Sequence, residues 1–121
     1  MTERLPPEVQ QYVVKLQQIQ GQLSQILSEK QVVESELREV DRALGVLKNL
    51  DPQTPIFKSV GHLLIKVDKE SVEKELNDKK EILELRLKSL SKQEELLRSQ
   101  LNQIQGKINE YLAKLYQPRG K

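Results

Sequence analysis

The sequence predicts a mainly α fold: a long antiparallel α-helical coiled-coil hairpin with a single two-stranded β-hairpin between the helices. Three observations carry this. Two heptad patterns of similar length flank the middle of the chain, and between them residues 54–67, Thr-Pro-Ile-Phe-Lys-Ser-Val-Gly-His-Leu-Leu-Ile-Lys-Val, have strand character. The composition is that of exposed helices rather than a thick core: 36% apolar, 31% charged, four aromatic residues and no Trp. At 121 residues one domain is expected.

The first helix is expected over about residues 7–49. Pro6-Pro7 marks its start, because proline is tolerated in the first helical turn. A heptad then runs unbroken, with Val9, Leu16, Leu23, Lys30, Leu37 and Leu44 at a and Tyr12, Ile19, Ile26, Val33, Val40 and Leu47 at d. Only Lys30 among these is polar, and so long a run in one phase argues coiled coil over an ordinary surface helix. A helix of roughly 40 residues would be about 60 Å long. Asn49-Leu-Asp-Pro52 ends it, since Pro52 cannot continue a helix.

The second helix is expected over about residues 69–116, with Asp68 as N-cap and Glu70 in the first turn suiting the helix dipole. Its d positions are Leu76, Leu83, Leu90, Leu97, Ile104 and Tyr111; its a positions, Glu73, Lys80, Leu87, Glu94, Leu101, Ile108 and Leu115, are mixed. The seam is therefore weakest near the connector and mid-helix and strongest from 97 to 115. Pro118 and Gly120 close it. Helices of matched length around a short connector fold back on each other. Pairing a with d sets partners at numbers summing to about 120, such as Leu23 with Leu97, with the register one heptad away, near 127, left open.

The β-hairpin is expected to turn at Gly61-His62, a two-residue type II′ turn with Gly first. That pairs Val60 with Leu63, Lys58 with Ile65 and Ile56 with Val67, placing all six on one face, apolar except for Lys58. The other face carries Phe57, Ser59, Leu64 and Lys66. A lone ribbon is marginal in water and leaves both edges unpaired, and one helical hairpin is too narrow to cover the apolar face. Oligomerisation through Ile56, Phe57, Val60, Gly61, Leu63, Leu64, Ile65 and Val67 is expected.

Several classes are excluded. The net charge of +2, with interspersed signs, gives no one-sided basic field, so no nucleic acid is expected as a partner. No apolar run exceeds three residues, which argues against a membrane span or signal peptide. The absence of Cys removes thiolate metal sites and suits a reducing cytoplasm. There is no phosphate loop or metal-spaced cluster. His62 is read as a turn residue, and Glu73, Glu75, Glu94 and Glu95 as helix charges with no second layer to desolvate them. No catalytic residue, cofactor or metal is expected, so the chain is read as not an enzyme.

The order helix, Pro-Ile-Phe-Lys-Ser-Val-Gly-His-Leu-Leu-Ile-Lys-Val, helix resembles the β-type subunits of prefoldin, the archaeal form above all. The most specific element is the aromatic-Lys-x-x-Gly-x-x-x-x-Lys pattern of Phe57, Lys58, Gly61 and Lys66; the Pro-Pro-Glu start, the Gln-rich first helix and Lys-Gln-Glu at 92–94 are also similar. One hairpin rather than two points to the β type. The resemblance covers nearly the whole chain. It implies a cytoplasmic hetero-hexamer of two α-type and four β-type subunits, whose hairpins join into a double β-barrel platform. From it would hang coiled coils that bind non-native client proteins without ATP and pass them to a group II chaperonin.

Capture of non-native chains requires apolar groups left unsatisfied within the coiled coil. Leu5, Val9, Tyr12, Val13 and Val14 near the N-terminus and Ile108, Tyr111, Leu112, Leu115 and Tyr116 near the C-terminus are the candidates, with three of the four aromatics among them. Val9, Tyr12, Ile108 and Tyr111 are seam positions, for which seam packing with partial exposure is favoured. Val13, Leu112 and Tyr116 lie beside the seam and widen the apolar stripe beyond what two strands need, which favours client contact. Eight glutamines between Gln10 and Gln31 read first as a solvated face. Lys30, Lys80 and Glu94 in the seam either fix register or loosen the arm, with register preferred. Gly21, Gly45 and Gly106 are either flex points or tolerated surface glycines. Arg119 and Lys121 form a basic end that either meets an acidic chaperonin surface or merely solubilises. The competing function is a structural coiled-coil spacer without client binding; a nucleic-acid-binding arm is opposed by the balanced charge.

Overall fold

The computed structural model describes residues 5–116; the tail positions Pro118, Arg119, Gly120 and Lys121 lie outside them. Helix α1 (Pro7–Asn49) is followed by strands β1 (Ile56–Val60) and β2 (Leu63–Val67) and helix α2 (Lys69–Leu115). Against expected spans of about 7–49, 54–67 and 69–116, the elements cover 7–49, 56–67 and 69–115. Two compact units result: one runs to Glu29 and resumes at Leu90, the other spans Lys30–Ser89.

Burial follows the heptads in both. In the unit holding the chain ends, Val9, Ile19 and Leu23 of α1 and Leu90 and Ile104 of α2 are buried. In the other, Val33, Val40, Leu47 and Leu83 are. Every a and d position is buried or half-buried except Leu115, which is exposed, so the seam closes before the end of α2. The register is the one near 120 in each unit. Lys107 Nζ lies 5.5 Å from the centre of the Tyr12 ring, and Lys80 Nζ lies 2.8 Å from Asp41 Oδ1. A shift of one heptad would carry each of these partners a full two turns apart.

The polar seam residues carry opposite charges nearby. Lys80 reaches across to Asp41, Glu94 is paired with Arg98 at 2.8 Å, and Glu73 lies 4.0 Å from Lys69. The cross-helix pair supports the reading of Lys80 as a register residue, because the register near 127 would set Lys48 rather than Asp41 opposite it.

The hairpin has the expected register, Ile56 opposite Val67, Lys58 opposite Ile65, Val60 opposite Leu63. Gly61 takes a φ of 59° while His62 does not enter the positive region, as a type II′ turn requires. The two joints to the helices differ. Between α1 and β1 the chain makes a turn, with Gln53 N–H donating to Asp51 Oδ1 at 2.9 Å and Thr54 N–H to the Asp51 carbonyl. Between β2 and α2 a single residue intervenes. Asp68 caps α2, its Oδ2 accepting from Ser71 Oγ at 2.6 Å and from Ser71 N–H at 3.3 Å. Those bonds hold the Asp68 carboxyl below the usual carboxylate range, the hydroxyl contributing most.

Candidate functional site

Two surfaces carry apolar groups that the chain itself does not cover. The first belongs to the unit with the chain ends. Tyr116 is 82% exposed, and Leu5, Val14, Leu112 and Leu115 are also exposed. They follow from the spacing: Val14, Leu112 and Tyr116 fall outside the a and d positions, so the seam cannot bury them. Val13, Tyr12, Ile108 and Tyr111 are half-buried. Val9 is only 4% exposed and lies wholly in the seam, so of the candidates it offers nothing to an incoming chain while the helices stay closed.

Tyr12 is held at both ends. Its hydroxyl donates to Glu8 Oε1 at 2.9 Å, which pushes the phenol above its ordinary pKa, and Lys107 lies over the ring. Just before α1, Gln10 Nε2 donates to the Leu5 carbonyl at 2.7 Å, which ties Leu5 back against the first turn. The exposed apolar groups are thus set on helix ends that are themselves fixed by local bonds.

Val14 stands among the most open of these groups. Its signal is direct: it is the apolar residue next to Val13 that no heptad position claims.

The second surface is the β-hairpin. Leu64 is 73% exposed, and Phe57, Val60, Leu63 and Ile65 are also exposed, while Ile56 and Val67 at the base are half-buried. Both faces of the ribbon therefore present large apolar side chains to water. At its base a groove of ≈ 560 Å³ opens among Val46, Leu50, Ile56, Phe57, Val72 and Leu76. Its lining is chiefly aliphatic, and it is continuous with the strand through Ile56 and Phe57.

One charge stands on the otherwise apolar face. Lys58 Nζ lies 2.6 Å from Glu75 Oε1 on α2. By its place in the sequence Glu75 is an ordinary helix charge. Nothing in the helical or strand period links a strand residue to a helix residue 17 positions on; only the fold brings them together. Among the described residues no group of three or more His, Asp or Glu could hold a metal ion, and no helix is long and apolar enough to cross a membrane.

The family model described as prefoldin subunit matches residues 10–114. The chain is similar to the prefoldin subunit beta of Sulfurisphaera tokodaii, 57% identical over 99% of this chain and 96% of that protein. It is 54% identical to the prefoldin subunit beta of Sulfolobus acidocaldarius over the same shares. The crystal structure of the prefoldin beta subunit from Thermococcus strain KS-1 matches with a TM-score of 0.85 at 33% identity, covering 97% of this chain and all of that one. Two long helices with a two-stranded antiparallel hairpin between them are common to both.

Proposed function

Because the chain belongs to the prefoldin subunit family and sides with its β-type members, we propose that this chaperone subunit works as an ATP-independent holdase within a hetero-hexamer. The hairpin joins two α-type and four β-type subunits into a platform. The helix ends capture non-native proteins and deliver them to a group II chaperonin in the cytoplasm. The work is done by contact alone, with no chemical step.

The observation that carries this reading is the pairing of two uncovered apolar surfaces in separate units of one chain. The hairpin has unpaired edges and apolar faces, the hallmark of a ribbon completed by other ribbons. The helix ends carry Val14, Leu112, Leu115 and Tyr116, which suit broad apolar contact with varied chains. Val13 and the half-buried seam residues Tyr12, Ile108 and Tyr111 line the same stripe.

The test mixes the chain with an α-type subunit and follows aggregation of a chemically denatured protein without nucleotide. The wild-type complex suppresses aggregation. Replacing Val13, Leu112 and Tyr116 by Ser keeps the oligomeric mass and loses most of the suppression. Unchanged suppression in that variant favours a coiled-coil spacer; no suppression by the well-formed wild-type complex ends the holdase reading.

A further inference from the structure

We propose that Glu75 neutralises Lys58 in advance, so that the hairpin face can be buried against the hairpin of a second subunit without enclosing an unpaired charge. The proposal rests on the reading of the hairpin as the assembly surface. Lys58 shares its face with Ile56, Val60, Leu63, Ile65 and Val67, and it is the sole charged member of that set. A lysine at such a place opposes burial, because an ammonium taken out of water without a partner costs far more than the surrounding aliphatic groups return.

Glu75 removes the obstacle from within the same chain. It comes from the second turn of α2, and its carboxylate is already in contact with Nζ at 2.6 Å. The placement is enforced. Asp68 caps α2 immediately after β2, so the first turns of the helix follow directly from the strand that pairs with Lys58's own. In the single chain both side chains are about half exposed, and a pair so wet contributes little. Its value appears on burial, where the carboxylate becomes the only counter-charge that Lys58 has brought with it.

The chemistry of the partner follows. The second hairpin places an aliphatic or aromatic residue over Lys58, and no acidic one, because the lysine's charge is already answered. A partner that laid a carboxylate there would meet Glu75 as well, and like charges would repel.

The roles of the two residues are unequal, and the inequality is testable. Glu75→Gln leaves Lys58 to be buried alone, whereas Lys58→Met removes the charge from the face and leaves Glu75 on an accessible helix. The full chain is mixed with an α-type subunit, and native mass measurement reads the concentration at which the complex forms. Glu75→Gln raises that concentration by about a hundredfold, the scale of a buried pair broken on one side. Lys58→Met leaves it within a few fold of wild type, and Lys58→Met combined with Glu75→Gln restores assembly to the level of Lys58→Met. Circular dichroism confirms that each variant keeps its helices.

Val60→Asp serves as the control for the platform itself and abolishes assembly. If Val60→Asp abolishes it while Glu75→Gln matches wild type, Lys58 stays in water in the complex and the proposal is wrong though the platform stands. Equal losses from Glu75→Gln and Lys58→Met overturn it in favour of a simple tie between strand and helix. If Val60→Asp assembles normally, the hairpin is not the assembly surface, and the proposal falls with that reading.

Discussion

Lys80 on α2 donates to Asp41 on α1 over 2.8 Å, so that a polar residue at a seam position finds its charge partner on the opposite helix. The hydrogen bond to Asp41, followed by the attraction between the two charges, raises the Lys80 pKa above the ordinary lysine value. The pair is accessible to solvent, and its main effect is on register. Replacing Lys80 by Leu is expected to raise the thermal midpoint while admitting a second helix alignment, visible as a second set of amide resonances. Asp41→Asn lowers the midpoint slightly at neutral pH. Because the folded pKa is raised, the contribution is complete below the ordinary lysine value and is lost as pH rises through the folded one. The gap between Asp41→Asn and wild type therefore closes in strong alkali, as thermal melts at stepped pH would read.

Asp68 gives the opposite sign. Its folded pKa is lowered, first by the Ser71 hydroxyl and then by the Ser71 backbone N–H. Its contribution is present above the ordinary carboxylate value and disappears as pH falls through the folded value. Asp68→Ala should destabilise the chain at pH 7 and match wild type in strong acid, with Asp68→Asn in between because an amide still caps. Helicity followed against pH checks this.

Two isoleucines separate burial from residue type. Ile19 is 2% exposed in the seam and Ile82 is 66% exposed on the outer face of α2. Ile19→Ala is expected to cost about 2–5 kcal/mol, through lost burial and the cavity left behind. Ile82→Ala should stay within about 0.5 kcal/mol of wild type. Denaturant titration of both variants measures the difference.

The helical glycines have open space where a Cβ would stand: nothing lies within 4 Å at Gly21, Gly45 or Gly106. Gly45→Ala should therefore stabilise the chain by up to about 1 kcal/mol. A triple Gly→Ala variant that holds clients as well as wild type identifies these positions as tolerated surface glycines; weaker capture by a more stable variant identifies them as flex points.

The hairpin and both heptads are legible because their periods differ, two residues against three and a half, and burial tracks the period almost position by position. Lys30, Lys80 and Glu94 are legible as interruptions, and Arg98 stands at the helical i+4 spacing from Glu94, but Asp41 carries no mark in the sequence that distinguishes it from other helix charges. The terminal stripe could be read from Val13, Leu112 and Tyr116 lying beside the seam. That Val9 is buried while Leu115 is open required the structure, since both are seam positions and in the register near 120 Leu115 falls opposite Leu5, which precedes α1.

By itself the sequence determined the elements, their order and the pairing of the strands, because each is set by local periodicity, by Gly61 in its turn and by Asp68 at its cap. It also determined that the ribbon has more apolar surface than its own helices can cover. The tertiary structure decided what repetition leaves degenerate. A heptad seam looks the same after a shift of seven residues, and only single contacts such as Tyr12 with Lys107 and Asp41 with Lys80 break that equivalence. It decided, too, that Lys58 meets Glu75, since a contact between a strand and a helix depends on the angle of the joint between them, which no period in the chain records.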